Sequence, residues 1–346
     1  MKPQYYDGTK ILSLMDIGGQ KPELYLVSTN RTAGKTTFFG RWFIRRWLQH
    51  GEKFMLLYRY SYELADCVSK FWPELQRLFF QEHEMRQEVA GKGVYVKLYL
   101  DNVICGYAAA VNTADSIKKT SHTFADVQRM LFDEFQSETN HYCANEVQKF
   151  MSVHTSVARG GGEQVRYVPV YMLGNYVSIL NPYYVALGVS HQLRSDTKFF
   201  RGDGFVIEHG FNETAEAAQK SSGFNRALSG QDYLRYSAQG AYLNDKMSFI
   251  EQVSGPNRYL ATAIYKGAEY GIREYSDHGI IYVDNRPDKT FPHKIAVTLE
   301  DHSINYVILK KNHTFLESLR YFFNRGCFRF RNLSCKEMLM TMIAYR

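Results

Sequence analysis

The sequence offers neither a covalent nor a membrane scaffold. Its five cysteines (Cys67, Cys105, Cys143, Cys327, Cys335) are odd in number and form no C-x-x-C pair, which indicates neither a disulfide framework nor a zinc site. They read as ordinary thiols. No stretch reaches the roughly 18 apolar residues that a membrane helix needs. Met1–Asp7 lacks the apolar run of a signal peptide, so a soluble intracellular protein with no membrane partner is expected. Internal repeats and low-complexity tracts are absent too, and domains must be read from strand and helix patterns.

Tryptophan is scarce, at three, against 26 tyrosines and 23 phenylalanines, and an apolar fraction of 45% suffices for sizeable cores. A length of 346 residues exceeds what one core usually organises, so two domains are expected. The net charge of +7 is concentrated. Arg31–Tyr60 carries seven Lys or Arg against Glu52 alone, and Asn305–Arg346 carries eight against Glu317 and Glu337. Two basic concentrations suggest polyanion contact in both parts of the chain, beside the simpler reading of a charged surface.

The most informative segment runs from Leu24 to Thr37. Leu24–Val27 is a short apolar run suited to a buried parallel strand, and from Thr36 onward Phe39, Phe43 and Trp47 recur at helical spacing. Between them Gly34, Lys35 and Thr36 supply the end of a phosphate loop. There, backbone N–H groups at a helix N-terminus surround phosphates, the lysine reaches the β and γ phosphates, and the hydroxyl helps hold Mg²⁺. Arg31, Gly34, Lys35, Thr36 and Thr37 are the nucleotide-binding candidates. The first glycine of the usual pattern is missing, since Thr29 stands there.

Further runs, Lys53–Arg59, a hairpin over Val94–Cys105, Val127–Phe132 and Val168–Leu173, alternate with a helical pattern over Tyr62–Phe80. They predict an α/β domain with a mainly parallel sheet over residues 1–200, its ligand at the carboxyl ends of the strands. Residues 201–246, richer in Gly, Ser, Asn and Ala, read as a linker subdomain with irregular helices over Glu213–Gln239. Strand patterns at Arg258–Tyr265, Tyr270–Tyr275, Gly279–Asp284 and Lys294–Leu299, followed by helices near Thr314–Phe323 and Cys335–Ile343, predict an α+β domain over 247–346.

Phosphate-loop enzymes need a carboxylate at the end of a buried strand to hold Mg²⁺, often followed by one that activates water. Leu131-Phe132-Asp133-Glu134-Phe135 fits: Asp133 serves the metal and Glu134 the general base. Asn175, ending the next apolar run, is a short amide able to bond the attacking water or the γ phosphate, or else a turn residue. Arg31 could add charge at the γ phosphate. Arg159, next to Gly160-Gly161-Gly162, is the candidate for an arginine given to a neighbouring subunit's site, with Arg166 second. Tyr5 or Tyr6 could stack on the base. Arg325–Arg331 alternates arginine with aromatics, which suits either nucleic-acid contact or an edge strand with its phenylalanines inward.

Taken together, the phosphate loop with its internal arginine, Leu131–Phe135, Leu173-Gly174-Asn175 and Asn181-Pro182-Tyr183-Tyr184 make the chain resemble the DNA-packaging ATPases of small protein-primed short-tailed phages, compact relatives of the terminase large subunits. Tyr58-Arg59-Tyr60 with Glu63-Leu64, and Gly279–Asp284, extend the resemblance over most of the chain. It implies that loss of the first glycine is tolerated. It also implies a terminase-like ATP- and Mg²⁺-dependent motor, forming a homo-oligomeric ring of probably five subunits in the host cytoplasm, at the portal vertex of a procapsid, and driving double-stranded DNA inward. Structural RNA is a further candidate partner, for the C-terminal basic cluster. The second domain is implied to be ribonuclease H-like. Its first strand should then carry an acid, yet Ala263–Gly267 has none, and Asp284 is the single well-placed carboxylate, so a vestigial nuclease is expected. Another nucleic-acid-dependent ATPase, such as a helicase or partition motor, and a nucleotide-gated binding protein or small-molecule kinase are the competing classes.

Overall fold

The computed structural model describes residues 5–139, 141–160, 164–190, 192–193, 197–228, 236–237 and 249–344, with backbone only at 65–67 and 309–310. The chain divides into two compact units, one of Met1–Ala186 with Leu193–Asn244 and one of Leu187–Gln192 with Asp245–Arg346.

The first unit is built on a nine-stranded sheet of β1 (Leu24–Thr29), β2 (Lys53–Tyr58), β3 (Met85–Ala90), β4 (Tyr95–Leu100), β5 (Val103–Ala110), β6 (Val127–Phe132), β7 (Val170–Asn175), β8 (Phe199–Gly202) and β9 (Phe205–Gly210). Its order is β3-β4-β5-β2-β6-β7-β1-β9-β8. The six strands from β5 to β9 in that order run parallel, and β3-β4 and β8 close the edges in antiparallel pairing. Buried apolar runs make the central strands, as expected where helices cover both faces of a parallel sheet. Tyr25, Val27, Leu56, Leu131 and Leu173 from the strands join Phe39, Phe43 and Trp72 from the helices Lys35–His50 and Ser61–Phe79 in one core. Because β7 lies between β1 and β6, the ends of all three strands stand side by side, with Thr29 in register with Asn175.

The sheet continues past residue 200. Phe205–Gly210 is almost wholly buried and pairs in parallel with β1, so the boundary expected from composition falls inside the β8-β9 hairpin. Gly202 and Gly204, the first glycines of the region read as a linker, belong to the turn of that hairpin. Helices Glu213–Ser221 and Gly223–Ala227 follow, the first capped by Asn212, whose side chain accepts from Ala215 N. Of the irregular helices expected up to Gln239, the remainder lies largely outside the described residues.

The second unit carries a six-stranded sheet of β10 (Arg258–Tyr265), β11 (Ala268–Tyr275), β12 (Ile280–Asp284), β13 (Lys294–Ala296), β14 (Val307–Ile308) and β15 (Phe328–Phe330). Its order is β14-β13-β10-β11-β12-β15, with β10, β11 and β12 antiparallel in sequence and β13 and β14 added parallel to β10. This is the strand arrangement of the ribonuclease H-like class. Helices His313–Asn324 and Leu333–Ala344 supply Leu316, Leu319, Met338, Leu339 and Met342 to its core. The alternating C-terminal cluster is β15, parallel to β12, with Phe328 and Phe330 buried and Arg329 paired with Glu251 at 2.8 Å.

Candidate active site

The phosphate loop closes without its first glycine because Thr29 does not occupy a turn. It is the last residue of β1, fully extended and buried, and Gly210 of the neighbouring β9 leaves room for its methyl group. The left-handed positions come later, at Thr32 (φ 61°) and Gly34 (φ 91°). Gly34 is the N-cap of helix Lys35–His50, and no side chain caps that end, so its amides are free to meet an anion.

Asp133 follows β6, as the pattern Leu131–Phe135 required, and accepts from Thr36 Oγ1 at 3.1 Å. Glu134 is exposed next to it in a left-handed conformation (φ 55°), a conformation that costs a β-carbon about 1 kcal/mol or more and persists only when neighbours enforce it. Arg59, just beyond β2, is the enforcer. It is buried, and its Nη2 donates to the carbonyls of both Glu134 and Phe135 at 2.9 Å. Its Nε is held by Glu146 at 3.0 Å, and Glu146 in turn accepts from Tyr183 Oη at 2.9 Å. In sequence, Arg59 and Tyr183 stand out only within segments that carry the family resemblance, and no local pattern gives either a role.

At the end of β7, Asn175 Oδ1 accepts from Lys35 Nζ at 2.7 Å. Arg31 reaches Glu138, with Nη1 at 2.9 Å, and Tyr236 Oη donates to the same carboxylate at 2.6 Å. Glu138 and Tyr236 were not among the candidates. Neither sits in a pattern, and only the fold brings them to the loop.

Other candidates lie elsewhere. Arg159 caps helix Glu146–Ala158 at its carboxyl end and reaches Ser121 Oγ at 3.2 Å, beside the segment that leads into β6. A 13-residue helix spans ~20 Å, so Arg159 stands at the amino-terminal edge of the sheet, away from its own phosphate loop. Arg166 is committed to backbone: its guanidinium donates to the carbonyls of Val127 and Val157 at 3.0 and 2.6 Å. Gly161 and Gly162 lie outside the described residues. Tyr6 cannot stack on a base, because it is buried against Phe38 and Phe39 with its hydroxyl on Glu208. Tyr5 is exposed and packs beside Gly34.

Electrostatics complete the picture. Burial lowers the Lys35 ammonium to about 8, opposed by Asp133, while burial and then Glu134 raise the Asp133 carboxyl to about 6. Burial opposes the charged form of both groups, a cost that a phosphate and a cation would offset. A hydroxyl and a carboxylate in contact form the hard oxygen pair that suits Mg²⁺, and the donors present therefore fit a magnesium nucleotide.

A buried lysine at a helix N-terminus, a strand-end carboxylate on the next threonine, and an extra strand between them have the arrangement of a phosphate-loop nucleotide site on a mainly parallel sheet. The chain matches the family described as Podovirus DNA encapsidation protein (Gp16) over residues 1–345, and it belongs to that family. It is 27% identical over 335 residues to the DNA packaging protein of Bacillus phage phi29, covering 96% of this chain and 94% of that one. The Bacillus phage B103 DNA packaging protein is likewise 27% identical, over 91% of this chain and 93% of its own. Among solved structures, a chain of the bacteriophage Phi-29 viral genome packaging motor assembly superposes with a TM-score of 0.70 at 25% identity, covering 98% of this chain and all of that chain. A chain of the Phi-28 gp11 DNA packaging motor shares the fold, with a TM-score of 0.58 at 15% identity over 99% of this chain and 98% of its own.

Proposed function

We propose that this chain is the ATP-driven subunit of a motor that moves double-stranded DNA into a preformed procapsid, working as a ring of identical copies, five in the reading given above, at the portal vertex in the host cytoplasm. Residues 1–200 with the β8-β9 hairpin form the motor, the rest of 201–246 a linking segment, and 247–346 a nuclease-like domain. The meeting of Lys35 with Asn175 and of Thr36 with Asp133 at the carboxyl ends of neighbouring central strands carries this reading.

In it, Gly34, Lys35, Thr36 and Thr37 bind the triphosphate, Arg31 adds charge at its γ end, and Thr36 and Asp133 hold Mg²⁺. The metal, when bound, neutralises charge on the transferring phosphoryl group. Glu134 takes a proton from the attacking water, and Asn175 orients that water or the phosphate. Arg159, too far from its own loop to act there, serves the neighbouring copy's site.

The nuclease-like domain is inactive in this reading. Where an acid would be needed, Lys266 and Gly267 form a turn whose amides donate to Asp301 at 2.9 Å. Asp284 is neutralised by Arg273 at 3.0 Å. Cleavage of plasmid by the full chain with Mg²⁺ or Mn²⁺ would refute the inactivity. For the motor, the decisive measurement is ATP turnover with double-stranded DNA, with procapsids and with both. Stimulation by both supports packaging, and stimulation by DNA alone favours another nucleic-acid ATPase.

A further inference from the structure

Five side chains from distant parts of the first unit form a continuous donor-to-acceptor chain around the phosphate loop. Lys35 Nζ donates to Asn175 Oδ1 at 2.7 Å. That leaves the Asn175 amide nitrogen to donate, and Asn175 hydrogen-bonds the Tyr236 hydroxyl. Tyr236 Oη donates its own proton to Glu138 at 2.6 Å, and Glu138 pairs with Arg31 at 2.9 Å. The chain thus begins and ends on the two cations that face a bound triphosphate. Its middle member is the one most deeply placed, since Tyr236 is 1% exposed and packs on Tyr176 and Val177, the residues that follow Asn175. The next residue closes the loop again, because Ser237 O accepts from Arg31 N at 3.0 Å.

We propose that Tyr236 is a positioning residue that senses the γ phosphate, its hydroxyl tying Lys35 and Arg31 together through Asn175 and Glu138 so that triphosphate must open a chain that diphosphate leaves closed at the Arg31 end. The inference rests on the phosphate-site reading above. A γ phosphate competes with Glu138 for Arg31, whereas the β phosphate reaches Lys35 alone. Opening the chain frees one acceptor on Glu138 and re-aims Asn175, the group placed to orient water. The nucleotide state is thereby passed to the segment that carries Tyr236 without any change at the metal ligands. The ordering is cooperative, because each hydroxyl or amide that donates becomes a better acceptor for its neighbour.

The experiment compares equilibrium binding of fluorescent ATP and ADP analogues to the full chain and to Tyr236→Phe, which keeps the ring and removes the hydroxyl. The expected result is a rise in ATP-over-ADP preference of about threefold or more, with ADP affinity changed by less than about twofold. Glu138→Gln should shift the preference the same way, and the double variant no further than the stronger single one, because both break one link. Thermal melting reports folding. A merely structural tyrosine would move ATP and ADP affinity together; equal shifts, no shift, or additive effects in the double variant would overturn the proposal. If the unsubstituted chain bound neither nucleotide, the phosphate-site reading itself would fall, and the sensing role with it.

Discussion

Lys35 donates to Asn175 across 2.7 Å, joining the end of the phosphate loop to the end of β7, although 140 residues separate the two. A lysine buried to 9% exposure is costly to charge without a partner, and the Asn175 amide oxygen supplies one. In the proposed site a phosphate would offer the same ammonium a stronger, charged partner. Asn175→Ala should therefore leave ATP affinity within about threefold while lowering turnover by about 100-fold. Lys35→Ala should lose binding itself. Titration with a fluorescent nucleotide beside steady-state turnover separates the two outcomes.

Glu134 combines the proposed role of general base with a left-handed backbone. At φ 55° a glycine would be relaxed, so Glu134→Gly should raise stability by about 1 kcal/mol, or roughly 2–4 °C in Tm, while turnover falls by about 100-fold. Glu134→Gln should lose the same activity with no gain in Tm. A melting curve for each variant, set against its ATPase rate, checks the separation. Normal turnover by Glu134→Gln would mean that the base lies elsewhere.

Arg59 is the support under that turn. Replacing it by Met leaves the Glu146 carboxylate buried without its ion pair, a loss of about 3–5 kcal/mol in comparable cases. Glu146→Gln in the same chain removes the stranded charge and should recover much of the stability. Turnover should stay low in the double variant, because the carbonyls of Glu134 and Phe135 still lack their donor. Recovery of both properties together would show that Arg59 serves folding only.

What the sequence disclosed were the parts whose geometry is local. A strand, a glycine turn and a helix follow one another within residues 24–50, and Asp133-Glu134 ends a buried run, so Lys35, Thr36, Asp133 and Glu134 could be placed on pattern alone. Asn175 was readable as a strand end, but its contact with Lys35 depends on the order β6-β7-β1, which no local pattern encodes. Glu138 and Tyr236 were invisible for the same reason, their partners lying 107 and 98 residues away. Strand β3 escaped because Met85–Ala90 is an edge strand in which Met85 alone is buried and Arg86, Gln87 and Glu88 interrupt any apolar run. Tyr6 misled because an aromatic next to a phosphate loop suits a base as well as a core, and the neighbouring Phe38 and Phe39 decide for the core.

His209 sets an acid limit on stability. It lies in β9 beside the loop strand, 9% exposed, and burial lowers its imidazole to about 4 from an ordinary 6.5. In the window between those values the unfolded chain binds a proton that the folded chain refuses. Stability from this group is thus complete above about pH 6.5 and is lost as pH falls towards 4, by up to about 3 kcal/mol. Glu208, one residue earlier, is shifted upward by burial and disfavours folding as its carboxyl ionises, which opposes the His209 effect from about pH 4.5 upward. His209→Gln should flatten the acid limb between pH 4 and 6.5. Urea midpoints measured across that range for both proteins give the comparison.

Arg159 offers the sharpest test of a ring. It sits at the far end of helix Glu146–Ala158 from the acid pair, where its guanidinium reaches Ser121 Oγ at 3.2 Å. Reaching its own γ-phosphate position would require unwinding that helix, whose Phe150, Val153 and Val157 are buried. Arg166, the other arginine of the segment, could leave its place only by abandoning the carbonyls of Val127 and Val157. In the proposed ring, Arg159 would therefore act in the next copy. Arg159→Ala should bind ATP normally and turn it over slowly, by analogy with losses of about 10³-fold for arginines given in trans. A Lys35→Ala subunit binds no nucleotide yet still presents Arg159. Mixing the two inactive proteins creates interfaces in which an intact loop from one meets an intact arginine from the other, and turnover should return in proportion to such interfaces. Titrating one variant into the other at constant total protein should give a maximum between the extremes. A flat, inactive line would place Arg159 outside the site.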